Sequence, residues 1–207
     1  MKYTDVAWDF DGTLFDTYPH FVRAFENALN TFGVTSPYNE IRTLITTTLE
    51  DTVDYFSYKH EVNRDELLRL YKLFRTEIRP AQVSLYPGVT KTLKAIKDSG
   101  RRNHLYTNRD HSALQYLEEF NIFQYFDGLI TEENIGELKP APSGMYLLLE
   151  KYQISPIKML MVGDRAIDMD AAKAAGTGTC FYNSNRIGVP KNVDFELERM
   201  EDLLQYL

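Results

Sequence analysis

The sequence predicts an α/β fold, a doubly wound parallel sheet with a block of α-helices inserted after its first strand. Three observations predict it. From residue 89 to residue 182, short apolar runs alternate with segments of helical period, the grammar of repeated βα units joined by right-handed crossovers. A further apolar run, Val6-Ala7-Trp8, stands near the N-terminus and runs straight into Asp9-Phe10-Asp11-Gly12-Thr13, as a buried strand ending in an acidic loop does. Between these two regions, residues 18–80 read as about four helices with no strand of their own.

Taken in order, the first helix begins at about Pro19. Phe21, Val22, Phe25, Ala28, Leu29 and Phe32 form a broad apolar stripe along it, and Gly33 ends it. Helices follow at 39–45, 49–60 and 64–77, the last with Leu67, Leu68, Tyr71, Phe74 and Ile78 on one face. Beyond Pro80 come a helix at 89–99 closed by Gly100, a strand at 102–107, a helix at 112–120 and a strand at 128–131. A helix at 143–152, a strand at 158–163, a helix at 168–175 stopped by Gly176 and a strand at 179–182 complete the series. A short helix at 200–207 closes the chain. The α/β core is therefore assigned to residues 1–16 and 81–207, and the helical insertion to 17–80.

Composition narrows the function. The 207 residues are 43% hydrophobic and 26% charged, ordinary values for a soluble globular protein; with one cysteine and no signal-peptide-length apolar run, the expected compartment is the cytoplasm. A formal net charge of −7, with no dense block of Lys or Arg, argues against nucleic acid as a partner. No apolar run has the length of a signal peptide or a membrane span, so no membrane partner is expected. A single cysteine, Cys180, rules out an intramolecular disulfide, and its apolar strand marks it as packing.

Ligands of open α/β sheets bind at the carboxyl ends of the strands. Polar signatures fall at four such ends: Asp9 and Asp11, Thr107-Asn108, Lys139-Pro140, and Gly163-Asp164 with Asp168. Three carboxylates, Asp9, Asp11 and Asp164, cannot share a small site ionised without a cation, and hard oxygen ligands suit magnesium. Lys139 adds a point positive charge, and the Thr107 hydroxyl and loop amides add donors, which together make a pocket for phosphate. A carboxylate beside a bound phosphoryl group can attack phosphorus, and a second carboxyl two residues on can protonate the leaving alcohol and then activate water. Asp168 either caps the following helix or stands behind the site.

The stretch Trp8-Asp9-Phe10-Asp11-Gly12-Thr13-Leu14-Phe15-Asp16-Thr17 resembles the first motif of the haloacid dehalogenase superfamily. Leu105-Tyr106-Thr107-Asn108 resembles its second motif, Leu138-Lys139-Pro140-Ala141-Pro142 its third, and Met161-Val162-Gly163-Asp164-Arg165-Ala166-Ile167-Asp168 its fourth. The insertion is similar in position and helicity to the small cap of the phosphoglycolate-phosphatase-like branch. The resemblance implies a Rossmann-like core and a magnesium-dependent phosphatase acting on a small phosphorylated metabolite. It implies that Asp9 is nucleophile and metal ligand, and that Asp11 is acid and base with its backbone carbonyl on the metal. Asp164 is implied as a further ligand with Asp168 behind it, and Thr107, the Asn108 amide and Lys139 as phosphate binders. Arg165 stands where many members carry Ser, and the cap stretch Leu44-Ile45-Thr46-Thr47-Thr48-Leu49 lacks an expected Gly. A phosphosugar mutase on the same scaffold and a catalytically silent binding protein are the alternatives. The mutase is disfavoured because His20 lies one residue too early for a mutase cap histidine.

Overall fold

A computed structural model describes residues 2–184 and 188–207. The chain divides into two compact units, Met1–Phe15 with Leu85–Leu207, and Asp16–Ser84.

The first unit is built on a six-stranded sheet in the order β3-β2-β1-β4-β5-β6, with every neighbouring pair parallel. The strands are β1 (Asp5–Trp8), β2 (Arg102–Tyr106), β3 (Phe126–Ile130), β4 (Met159–Gly163), β5 (Gly178–Tyr182) and β6 (Phe195–Leu197). β1, β4 and β5 are buried along their whole length, as strands covered on both faces must be. Register carries the site. Trp8 lies opposite both Leu105 and Val162, so β1, β2 and β4 end at one level. The strand order reverses direction between β1 and β4, the topological switch point at which such sheets bind ligands.

Helices α5 (Val89–Asp98), α6 (Ser112–Glu119), α7 (Ser143–Lys151) and α8 (Ala166–Ala174) connect the strands. Ala7, Tyr106, Met145, Leu148, Met161, Met169 and Phe181 pack as one apolar cluster between the sheet and its helices. Two glycines are required by close approach. A Cβ on Gly144 would fall 2.3 Å from the Tyr106 ring, and one on Gly163 would fall 2.5 Å from the Asp168 side chain.

Three of the differences from the sequence reading have a clear physical form. α8 starts at Ala166 rather than 168, because the Asp168 carboxylate accepts the Arg165 backbone N–H at 3.1 Å and closes a capping box one turn earlier. β6 was not foreseen: three residues carry too little pattern, and the strand exists only through its ladder to Cys180, Phe181 and Tyr182. The closing segment, Met200–Tyr206, is a 3₁₀ helix.

At the opposite end of the sheet from the four polar signatures, Asp5 is buried. Its Oδ1 lies 2.8 Å from His104 Nε2 and 2.7 Å from Arg102 Nε, and its Oδ2 accepts the Thr4 hydroxyl at 2.7 Å.

The second unit consists of α1 (Tyr18–Asn30), α2 (Tyr38–Ile45), α3 (Leu49–His60) and α4 (Arg64–Arg75). The stripe read from the sequence, Phe21, Val22, Phe25, Ala28 and Leu29, packs against Ile41, Val53, Phe56, Leu67 and Tyr71. Thr48 and Asn63 cap α3 and α4, each accepting a backbone N–H three residues on, from Asp51 and Glu66. The unit's two connections pair with each other: Asp16 donates its N–H to the Ser84 carbonyl at 2.9 Å. Just outside them, Phe15 and Leu85 form an antiparallel bridge, which moves the exit boundary four residues beyond the expected 80. Among the described residues, no helix is long and apolar enough to cross a membrane.

Candidate active site

The loop after β1 is shaped by its own aromatics. Phe10 and Phe15 stack at 4.4 Å, and both meet the edge of Tyr116. Leu14 and Phe15 both donate to the Phe10 carbonyl, and Gly12 takes the positive φ of 89° that the turn requires. The outcome is a tight loop that holds Asp9 and Asp11 at the end of β1.

Asp9 is fully buried and its N–H is tied to Val162 at 2.9 Å. Its Oδ1 accepts Lys139 Nζ at 2.6 Å. Among the described residues its Oδ2 has no hydrogen-bond partner, and the Arg165 guanidinium comes to 3.9 Å of it. Burial, then the negative charge of Asp168, pushes the Asp9 carboxyl up to about 6, against the pull of Lys139 and Arg165.

Lys139 is also buried, and its ammonium reaches Asp168 Oδ1 at 2.5 Å and the Tyr106 carbonyl at 3.1 Å. Burial works against the ammonium, but Asp168 and Asp9 outweigh it and hold the lysine pKa above its ordinary value. Asp168 therefore has two contacts at once, the Lys139 ammonium on one oxygen and the α8 N-terminus on the other.

Carboxylate oxygens of Asp9, Asp164 and Asp168 lie within 4.8 Å of one another. Asp164 also accepts the Thr13 hydroxyl at 3.1 Å. A buried carboxylate trio with one buried ammonium among it, and an orphaned oxygen on Asp9, is a donor set that fits a hard divalent cation. Asp9 and Asp164 of the expected ligand set fall in this trio with Asp168 beside them, and the part expected of Asp11 is its backbone carbonyl rather than its carboxylate. The Asp11 carboxylate lies outside the trio and its Oδ1 is bound by Arg109 at 2.9 Å.

Thr107 stands one residue beyond β2, buried, with its hydroxyl oxygen accepting the Arg109 N–H at 3.0 Å, which leaves the hydroxyl proton to donate. The Asn108 side chain does not face the carboxylates; it is engaged with the Lys139 backbone. Thr13 and Arg109 were not singled out in the sequence. A cation directly after Thr-Asn at a strand end was the signal for Arg109, and Thr13 sat unremarked inside the first motif. Asp170 is exposed, and Cys180 is buried with its thiol pKa raised by that burial.

Residues 6–182 match the haloacid dehalogenase-like hydrolase family. The chain belongs to that family. A phosphoglycolate phosphatase of Vibrio parahaemolyticus is 30% identical over 97% of this chain and 94% of its own length. The pyrophosphatase PpaX of Bacillus cereus is 28% identical over 100% of this chain and 97% of its own. Among solved structures, a haloacid dehalogenase-like hydrolase from Bacteroides fragilis superposes with a TM-score of 0.85 at 24% identity, covering 98% of this chain and 100% of that one. Together with relatives so named, membership makes this chain one of the family's phosphatases.

Proposed function

We propose that this chain is a magnesium-dependent phosphatase that hydrolyses small phosphate monoesters through an aspartyl phosphate on Asp9. The observation that carries the reading is Asp9 itself. It is a buried carboxylate at the switch point of a parallel sheet, with one oxygen fixed by Lys139 and the other without a hydrogen-bond partner among the described residues.

In the first half-reaction a carboxylate oxygen of Asp9 bonds to phosphorus as the bond from phosphorus to the leaving oxygen breaks, and Asp11 gives that oxygen its proton. In the second, water attacks phosphorus and passes a proton to Asp11. The bond from Asp9 to phosphorus then breaks, releasing inorganic phosphate and the free carboxylate. Lys139 and the Thr107 hydroxyl neutralise and orient the phosphoryl oxygens, the positioning that dominates phosphoryl-transfer catalysis. Asp9, Asp164 and the Asp11 carbonyl would hold magnesium, which when bound supplies positive charge to the phosphoryl group and offsets the buried carboxylates. Asp168 keeps Lys139 charged and pointed at Asp9.

Relatives named for phosphoglycolate and for pyrophosphate support a small, highly anionic phosphate compound as the substrate class. A panel of phosphorylated metabolites, assayed for phosphate release with magnesium present, tests the reading. Turnover of one or more small members is expected; isomerisation of a sugar phosphate without phosphate release would contradict it.

A further inference from the structure

Arg109 is not used by the chemistry above, yet its surroundings are those of a built part. It is only 6% exposed. Nη1 donates to Asp11 Oδ1 at 2.9 Å and Nε donates to Ser112 Oγ at 3.0 Å. The guanidinium carbon lies 4.5 Å from the centre of the Tyr116 ring and 5.1 Å from that of Phe10. The backbone is held as firmly: its N–H meets Thr107 Oγ1 at 3.0 Å, and its carbonyl accepts the Glu132 N–H at 3.0 Å.

A buried guanidinium is costly unless its rigid fork is engaged, and here Nη1 fixes one carboxylate oxygen while Nε is held by a serine hydroxyl. Phe10 and Tyr116 also shape the loop that carries Asp11, so the same rings pack against both the guanidinium and its target's loop. We infer that Arg109 is a positioning residue that anchors Asp11 Oδ1 and thereby aims Oδ2 for both proton transfers. The inference rests on the reading of Asp11 as acid and base. A carboxyl shared between two half-reactions must sit within reach of the leaving oxygen and then of the attacking water, and a displacement of about 1 Å costs on the order of a hundredfold in rate. Lysine in place of arginine keeps the charge but cannot serve Asp11 and Ser112 in one plane.

The test separates positioning from general damage through the leaving group. 4-Nitrophenyl phosphate expels a phenolate that needs no proton, whereas glycerol 2-phosphate expels an alkoxide that does. Arg109→Lys should lower kcat/KM on glycerol 2-phosphate by about tenfold or more and change kcat/KM on 4-nitrophenyl phosphate by less than about threefold. A burst of nitrophenolate should also appear, because water attack on the aspartyl phosphate is slowed. In an Asp11→Asn background the same substitution should add nothing, since it acts through a group already removed. Should Arg109→Lys fail to fold, Arg109→Gln, which keeps a planar donor, is measured in the same way. Equal losses on the two esters, or a further loss in the Asp11→Asn background, overturn the inference. Wild-type turnover of glycerol 2-phosphate by Asp11→Asn alone would remove the acid assignment itself, and the role of Arg109 with it.

Discussion

The side-chain amide of Asn108 closes on the backbone of Lys139 from both sides: Oδ1 accepts the Lys139 N–H at 2.9 Å and Nδ2 donates to the Lys139 carbonyl at 3.1 Å. The loop that delivers the buried lysine is thereby pinned to the end of β2, 31 residues earlier in the chain. The part expected of Asn108 at the phosphate is its backbone amide; its side chain has a separate task, holding the lysine's loop in place.

Asn108→Ala removes both bonds and leaves two backbone groups to find water. A loss of about 1–3 kcal/mol in unfolding free energy is expected, with kcat/KM falling about tenfold as Lys139 loses its placement. Urea unfolding and steady-state kinetics check it, and unchanged values in both would contradict the pinning role.

Lys139→Met leaves Asp9 and Asp168 buried without their shared cation. Breaking such an arrangement by removing one partner costs about 3–5 kcal/mol. Added magnesium should recover part of that loss, raising the melting temperature of the variant more than that of the wild type. An equal or smaller magnesium shift in the variant would contradict the view that metal and lysine neutralise the same carboxylates.

Chelation with EDTA should abolish phosphate release, and magnesium should restore it. Calcium should substitute poorly, because it takes more oxygen ligands at longer distances and spoils in-line attack. Thermal melts give a second readout: magnesium should stabilise the wild type and not Asp164→Asn. Full activity in EDTA, or a magnesium shift unaffected by Asp164→Asn, would refute the proposed metal site.

Burial alone would raise the Asp5 carboxyl, but hydrogen bonds from His104, Arg102 and Thr4 outweigh it and hold the pKa below the ordinary 3.8. A carboxyl whose pKa is depressed by folding stabilises the native state fully above its unfolded value, and that contribution disappears as pH falls through the native value. Stability measured by urea at about pH 6 and at about pH 3 should therefore drop more in the wild type than in Asp5→Asn. Parallel pH profiles for the two proteins would show that Asp5 is not coupled to acid unfolding.

Much of this was legible in the sequence, for physical reasons. In a parallel sheet the carboxyl ends of neighbouring strands must share an edge, so Asp9, Thr107 and Asp164 could be brought together from strand positions alone. The helical stripe from Phe21 to Leu29 was equally readable, because its period survives without knowledge of its partners. What sequence could not give is which side chain meets which. Lys139 and Asp168 are 29 residues apart, and Arg109 and Asp11 are 98 apart. Arg109 reads locally as a surface cation before a helix; only the packing of Phe10 and Tyr116 around it makes it internal. The β6 strand was invisible for a similar reason, its three residues being defined by a ladder rather than by a pattern.

In the proposed reaction Asp9 carries the phosphoryl group. Enzyme quenched in acid during turnover and reduced with borohydride should convert an aspartyl phosphate to homoserine, which peptide mass spectrometry locates by residue. Homoserine at Asp9 in the wild type is the expected result, with none in Asp9→Asn, which should also lose turnover. Homoserine at another aspartate, or Asp9→Asn turnover within about tenfold of wild type, would contradict it.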